Sequence, residues 1–258
     1  MKILFIADAF ATPGRRVIEH HVPRLRAERD IGFVVANGEN LADGTGITSR
    51  LARRLHAAGV DVITLGNHAF RQREVYPHLG MDPRIVRPAN YPSTAPGKGW
   101  CVAKAADGTP VAVINLLGKL FLDPAVSPFA VAEDLVAEAR QEADLVLVDF
   151  HAEATSEKVA MGRLLDGRVT AVIGTHTHVQ TSDAHVLTGG TAYITDAGMT
   201  GPHDSVIGVR TDLILRRFTT QMPVRFEPAD GGVRLEGVMI ECDGGGRASS
   251  IEAVRIAE

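Results

Sequence analysis

Five short runs of apolar, largely β-branched residues recur along this chain, and each is followed by residues able to bind a metal. The runs are residues 2–7, Phe33-Val34-Val35-Ala36, Val62-Ile63-Thr64-Leu65, Leu145-Val146-Leu147-Val148 and Thr170-Ala171-Val172-Ile173. They are continuous rather than alternating, as in strands buried on both faces of a sheet that helices cover. The residues that follow them are Asp8, Gly38-Glu39-Asn40, Gly66-Asn67-His68, Asp149-Phe150-His151 and Gly174-Thr175-His176-Thr177-His178. In open α/β sheets the carboxyl ends of the strands form the ligand crevice.

Helical patterns fill the intervals. Thr12-Pro13 predicts an N-cap and a first-turn proline for a helix carrying Val17, Ile18 and Leu25 inward, with Pro23 expected to kink or end it. Thr48 opens a second helix with Leu51, Leu55 and Ala58 on one face, stopped by Gly59. Arg87–Pro92 reads as loop, Val111–Asn115 as a strand, and residues 129–140 and 155–165 as helices. In the last third, runs at 191–195, 222–226, 233–241 and 247–256 read as antiparallel strands, with Asp243–Gly246 as a hairpin connection. The fold class is α/β, with βαβ units in the first two-thirds. No linker, repeat or low-complexity tract divides residues 1–258, so one domain is expected.

Charge and cysteine content narrow the function. A formal charge of −4 without a Lys/Arg-rich run argues against duplex nucleic acid, which requires many phosphates to be neutralised. A small phosphorylated substrate stays compatible, because metal ions can supply positive charge locally. Two cysteines, Cys101 and Cys242, give no disulfide framework. The first apolar run is short and stops at Asp8, as a buried strand does and a signal peptide does not. Nothing approaches the ~18 apolar residues of a membrane span. A cytoplasmic protein is expected.

Asp8, Glu39, Asn40, Asn67, His151, His176 and His178 together offer carboxylate, amide oxygen and imidazole, a set suited to Mn, Fe, Zn or Co and unlike a soft thiolate site. They exceed the needs of one tetrahedral ion and match two ions sharing a carboxylate. Each has a plainer reading alone: Asp8 as a cap, Gly38-Glu39-Asn40 as a turn, His151 as a hydrogen-bonded histidine. Gly44-x-Gly46 is a weak phosphate-loop pattern and reads better as a lead-in to a helix. Joint occurrence, in order and after buried strands, favours a metal site. In an extended segment His176 and His178 would point the same way.

These residues resemble the calcineurin-like metallophosphoesterases, whose order is Asp, Gly-Asp, Gly-Asn-His, His and Gly-His-x-His. The chain is more similar still to the YmdB-like branch of cyclic-nucleotide phosphodiesterases. Asn37–Asn40, Thr64–His68, Arg87–Pro92, Val148–Glu153, Gly174–Thr181 and Ile194–Pro202 carry that likeness almost end to end. The usual Asp-x-His reads Asp8-Ala9-Phe10 here, which makes Asn40 the replacement ligand; Glu39 stands at the bridging position. Ala69 follows His68 where many relatives carry an acid, leaving open what orients His68.

The resemblance implies a two-sheet sandwich flanked by helices, with the metals at the sheet edge. It implies one ion on Asp8, Glu39, Asn40 and His178, and a second on Glu39, Asn67, His151 and His176. The ions would be divalent or trivalent, with iron or manganese foremost and zinc or cobalt as alternatives. It also implies a cyclic-nucleotide substrate, 2′,3′-cyclic first and 3′,5′-cyclic second, and a homo-oligomer. A metal-held hydroxide would attack phosphorus while His68 protonates the leaving alkoxide. Tyr91, Phe121, Phe129 and His203 are candidate pocket residues, with Phe121 and Phe129 reading better as core. Rival readings are a phosphoprotein or other phosphomonoester phosphatase of the same fold and a non-catalytic cyclic-nucleotide sensor.

Overall fold

A computed structural model describes all residues 1–258. Its strands are β1 (Lys2–Ile6), β2 (Asp8–Ala9), β3 (Phe33–Asn37), β4 (Val62–Thr64), β5 (Ile85–Val86), β6 (Trp100–Lys104), β7 (Pro110–Leu117), β8 (Leu145–His151), β9 (Ala171–Thr175), β10 (His185–Val186), β11 (Ala192–Ile194), β12 (Met199–Pro202), β13 (Val233–Cys242) and β14 (Ala248–Ala257). The α-helices are α1 (Ala11–Arg29), α2 (Ser49–Ala57), α3 (Tyr76–Met81), α4 (Pro128–Ala139), α5 (Thr155–Leu164) and α6 (Thr211–Thr220).

Two sheets result. The first runs β2-β12-β13-β1-β3-β4-β5 with β14 on β13, and the second runs β10-β11-β9-β8-β7-β6. Strands β1, β3, β4 and β5 are mutually parallel, as are β7, β8, β9 and β11. Their apolar runs are continuous because both faces are covered. Phe5, Val35 and Val62 of the first sheet meet Val113, Leu147 and Ile173 of the second in a shared core. The alternate residues Leu4, Ile6, Val34 and Ala36 face Val17 and Val22 of α1 and Leu55 of α2. On the far side, Val146, Val148 and Phe150 face Val136 of α4 and Met161 of α5. The expected two-sheet sandwich flanked by helices is what the chain forms.

Several local expectations are corrected. Helix α1 begins at Ala11 after Phe10, without a side-chain cap, and continues through Pro23 to Arg29. Val22 and Leu25, buried against the first sheet, offset the ~3 kcal/mol that an interior proline costs a helix. The run at 191–195 meets the antiparallel expectation on one side only: β11 lies antiparallel to β10 but parallel to β9 in the core. Residues 222–226 form no strand. The antiparallel character belongs to the hairpin β13–β14, whose β13 pairs with β1 inside the first sheet. Thr48 caps α2 as expected, accepting from the Leu51 amide at 3.3 Å. No helix is long and apolar enough to cross a membrane.

Candidate metal centre

The carboxyl ends of β3, β4, β8 and β9, with β2 beside them, bring all seven candidate ligands to one place. Two groupings are visible. His151 Nε2 lies 3.0 Å from Glu39 Oε1, 3.1 Å from Asn67 Oδ1 and 3.0 Å from His176 Nδ1. His178 Nε2 accepts from Asn40 Nδ2 at 3.1 Å and lies 3.7 Å from Asp8 Oδ1. Glu39 lies in the His151 grouping and is 1% exposed. Its Oε2 accepts from the His68 amide at 2.9 Å.

The outer nitrogens of the histidines decide which inner atoms carry lone pairs. His178 Nδ1–H donates to the Ile207 carbonyl at 3.0 Å, leaving Nε2 as an acceptor facing Asp8. The Thr175 hydroxyl donates to Asp149 Oδ1 at 2.6 Å, so it accepts from His151 Nδ1–H at 2.9 Å. His176 Nε2–H points at Glu153 Oε2, 3.0 Å away, which leaves its Nδ1 facing inward. Such outer partners fix the tautomer and aim of a metal-binding imidazole. With His151 neutral, the inner atoms of Glu39, Asn67, His151 and His176 are all acceptors packed together, so either a proton on His151 or a cation must sit among them. Asp8 Oδ1 is buried with no hydrogen-bond partner. Acceptors converging in this way call for a cation, and their oxygen and nitrogen chemistry fits a hard or intermediate one.

The titration behaviour has the same origin. Burial opposes a charge on His151, yet the Glu39 and Asp8 carboxylates outweigh it and hold the imidazole up at about 9. Burial, joined by the neighbouring His151, pushes His176 down to about 3. Burial raises Asp8, but the neighbouring His178 and His151 and the His176 amide more than reverse this and hold the carboxyl well below the usual range. Thus His151 rather than His176 carries a proton, and at His178 too the Asp8 carboxylate outweighs burial.

Backbone geometry departs from the sequence expectation at the His-x-His pair. His176 and His178 have φ of 102° and 64°, so the segment after β9 is not extended. A left-handed backbone aims the two rings into different groupings, one toward His151 and the other toward Asp8. Asp196 holds this strained segment by accepting from Thr177 N at 3.0 Å and Thr177 Oγ1 at 2.8 Å. Lys158, 1% exposed, donates to the same carboxylate at 2.6 Å. Gly66 is required by close approach, because a Cβ there would lie 2.3 Å from both Glu39 Oε2 and His151 Cδ2.

His68 sits beside the centre. Its Nδ1 donates to Asn40 Oδ1 at 2.8 Å and lies 3.4 Å from Glu39 Oε1, and its side chain is 27% exposed. Asn40 and Glu39 thus orient His68 where Ala69 cannot. A cavity of about 490 Å³ opens over Glu39, Asn40, His68, His176 and His178. Of the residues suggested as pocket-lining, Tyr91 stacks edge-on against Phe70 and Phe129 against Phe150. Phe121 is 87% exposed and so is not core; His203 donates to the Met199 carbonyl, and neither lines this cavity. Sequence reasoning passed over Asp149, Thr175, Glu153 and Asp196. The acid inside the apolar run Val148-Asp149-Phe150 is the one signal that pointed to any of them.

The model of the YmdB-like protein family matches residues 4–254. A Bacillus subtilis (strain 168) protein named 2′,3′-cyclic-nucleotide 2′-phosphodiesterase is 48% identical over 94% of this chain and 92% of its own length. A crystal structure described as a hypothetical protein from Thermus thermophilus superposes with a TM-score of 0.93, at 43% identity and full coverage of both chains. A crystal structure described as a novel phosphatase from Mycoplasma pneumoniae does so with a TM-score of 0.92, at 34% identity over 100% of this chain and 94% of that one. The chain belongs to the YmdB-like family.

Proposed function

We propose that this protein is a metal-dependent phosphodiesterase that opens 2′,3′-cyclic nucleotides, using two metal ions that share Glu39. The observation carrying this reading is the convergence of Glu39, Asn67, His151 and His176, with the buried Asp8, Asn40 and His178 alongside and His68 beside them at a cavity. One ion would be held by Asp8, Glu39, Asn40 and His178, and the other by Glu39, Asn67, His151 and His176. Iron or manganese suits this donor set best, with zinc and cobalt compatible. When bound, the ions supply positive charge for the phosphoryl oxygens and acidify a water toward neutral pH.

The protein's own residues do the rest. Asn40 fixes His68 through Nδ1–H, so the proton for the leaving alkoxide would come from Nε2–H of the imidazolium, a form that burial disfavours and the Glu39 carboxylate favours. General acid help of this kind is worth ~10²–10⁴-fold. Asp149, through Thr175, and Glu153 hold the two imidazoles of the second grouping in the tautomers that face inward. A cyclic diester suits such a site because attack opens a ring, and both ends stay in one product. The name of the Bacillus subtilis relative supports this substrate class.

The test is phosphorus NMR of 2′,3′-cyclic AMP incubated with the protein and Mn²⁺. The ring signal should give way to a nucleoside monophosphate, stop changing after chelation, and resume on adding metal. An intact ring under every metal tried would count against the proposal. Release of inorganic phosphate from monoesters with the ring untouched would identify a phosphatase instead.

A further inference from the structure

The cavity over the metal centre has one apolar side. Ile207 and Phe226 are 53% and 47% exposed, although they border a centre otherwise lined by acids, amides, hydroxyls and imidazoles. Large apolar side chains left open beside a polar centre are a mark of ligand contact. The volume, about 490 Å³, lies within the ~300–1,000 Å³ of small-molecule sites and exceeds what a phosphate group alone would fill.

This side is built as a rigid wall. Val206 and Val209 exchange backbone hydrogen bonds at 2.9 and 3.0 Å, closing a tight turn with Ile207 and Gly208 at φ of 47° and 100°. Val209 bridges to Pro228, Arg210 N donates to the Glu227 carbonyl, and Ala229 N donates to the Gly208 carbonyl. A Cβ on Gly208 would come within 2.7 Å of the Phe10 ring, which itself packs edge-on against His178. The wall is also tied to the metal centre, because the Ile207 carbonyl is the acceptor that fixes His178. Glu227 and Pro228, next to Phe226 in the chain, are anchored to this turn through Arg210 and Val209.

Most of the wall's side chains offer no hydrogen-bond donor or acceptor for a base edge. Ile207, Val209, Phe226 and Pro228 are apolar; the one polar side chain among them, Glu227, is drawn away through Oε2 to Arg210 at 2.8 Å, and its remaining oxygen is an acceptor only, which fits no single base. From this we infer that the wall is the nucleobase subsite of the proposed phosphodiesterase, with Phe226 as its stacking residue, and that it takes purines and pyrimidines alike. The inference rests on the cyclic-nucleotide reading above. Stacking tolerates all bases because every base has a π-face, whereas discrimination requires edge hydrogen bonds.

The experiment compares the metal-loaded wild-type protein, Phe226→Ala and Phe226→Tyr on the four nucleoside 2′,3′-cyclic phosphates and on glycerol 1,2-cyclic phosphate, which has no base. Phe226→Ala should lose about 5- to 100-fold in kcat/KM on every nucleotide, mainly through KM. It should lose less than about twofold on the glycerol ester, and its metal content should be unchanged. Phe226→Tyr should restore the nucleotide activity. An equal loss on the glycerol ester, a loss confined to one base, or no loss at all would overturn the subsite. Wild-type protein inactive on all five substrates would overturn the phosphodiesterase reading itself, and the subsite with it.

Discussion

Glu39→Ala is expected to lose both metal ions at once, not one. Glu39 is 1% exposed and lies 3.0 Å from His151 Nε2, while the remaining candidate ligands divide between the two groupings. Removing it leaves Asp8 with Asn40 and His178 on one side, and Asn67 with His151 and His176 on the other. The second group would then be wholly neutral, which a divalent ion tolerates poorly. Activity should fall by several kcal/mol of barrier, about 10³-fold or more. Glu39→Gln serves as the control for shape, since its amide oxygen can still accept from the His68 backbone N–H that now bonds Oε2 at 2.9 Å. It should fold like the wild type by circular dichroism and still bind metal weakly. Elemental analysis finding one full equivalent of metal in Glu39→Ala would show that the carboxylate is not shared.

His68→Ala separates metal binding from proton transfer. His68 touches the centre through Asn40 Oδ1 and Glu39, at 2.8 and 3.4 Å, and completes neither grouping. The variant should keep its metal and lose ~10²–10⁴-fold on a nucleoside 2′,3′-cyclic phosphate, whose leaving alkoxide needs a proton. On bis-p-nitrophenyl phosphate the loss should be much smaller, because p-nitrophenolate departs unprotonated. His151→Ala, His176→Ala and His178→Ala should instead lose metal and fail on both substrates alike. Equal slowing of both substrates by His68→Ala would make His68 a phosphate-positioning donor, and loss of metal would make it a ligand.

Much of the fold was legible because its core strands are covered on both faces. A run such as Phe33-Val34-Val35-Ala36 has the same apolar character whichever sheet face each residue takes, so its burial shows in one sequence. What failed lacked such a signal. In α6 only Ile214 is buried among ten residues, and the helix has no side-chain N-cap, so nothing distinguished it from loop. Strand β11 is three residues long and carries no mark of direction, so its parallel pairing with β9 could not be read.

The candidate ligands were legible for a different reason. Each follows a buried strand, and their chemical types agree, so order along the chain stood in for proximity in space. The outer partners follow no such rule. Thr175 and Asp149 meet across adjacent strands β9 and β8, while Asp196 reaches Thr177 from beyond β11. The left-handed backbone at His176 and His178 was hidden as well, because histidine does not announce a positive φ as glycine does.

The central claim is that two groupings of acceptors, joined at Glu39, hold two ions in one chain. Elemental analysis of protein reconstituted with excess Mn²⁺ and freed of loosely bound metal tests it most directly. The arrangement of Asp8, Asn40 and His178 on one side and Asn67, His151 and His176 on the other predicts a limit near two ions per chain. A limit near one ion, with full turnover of 2′,3′-cyclic AMP, would contradict it.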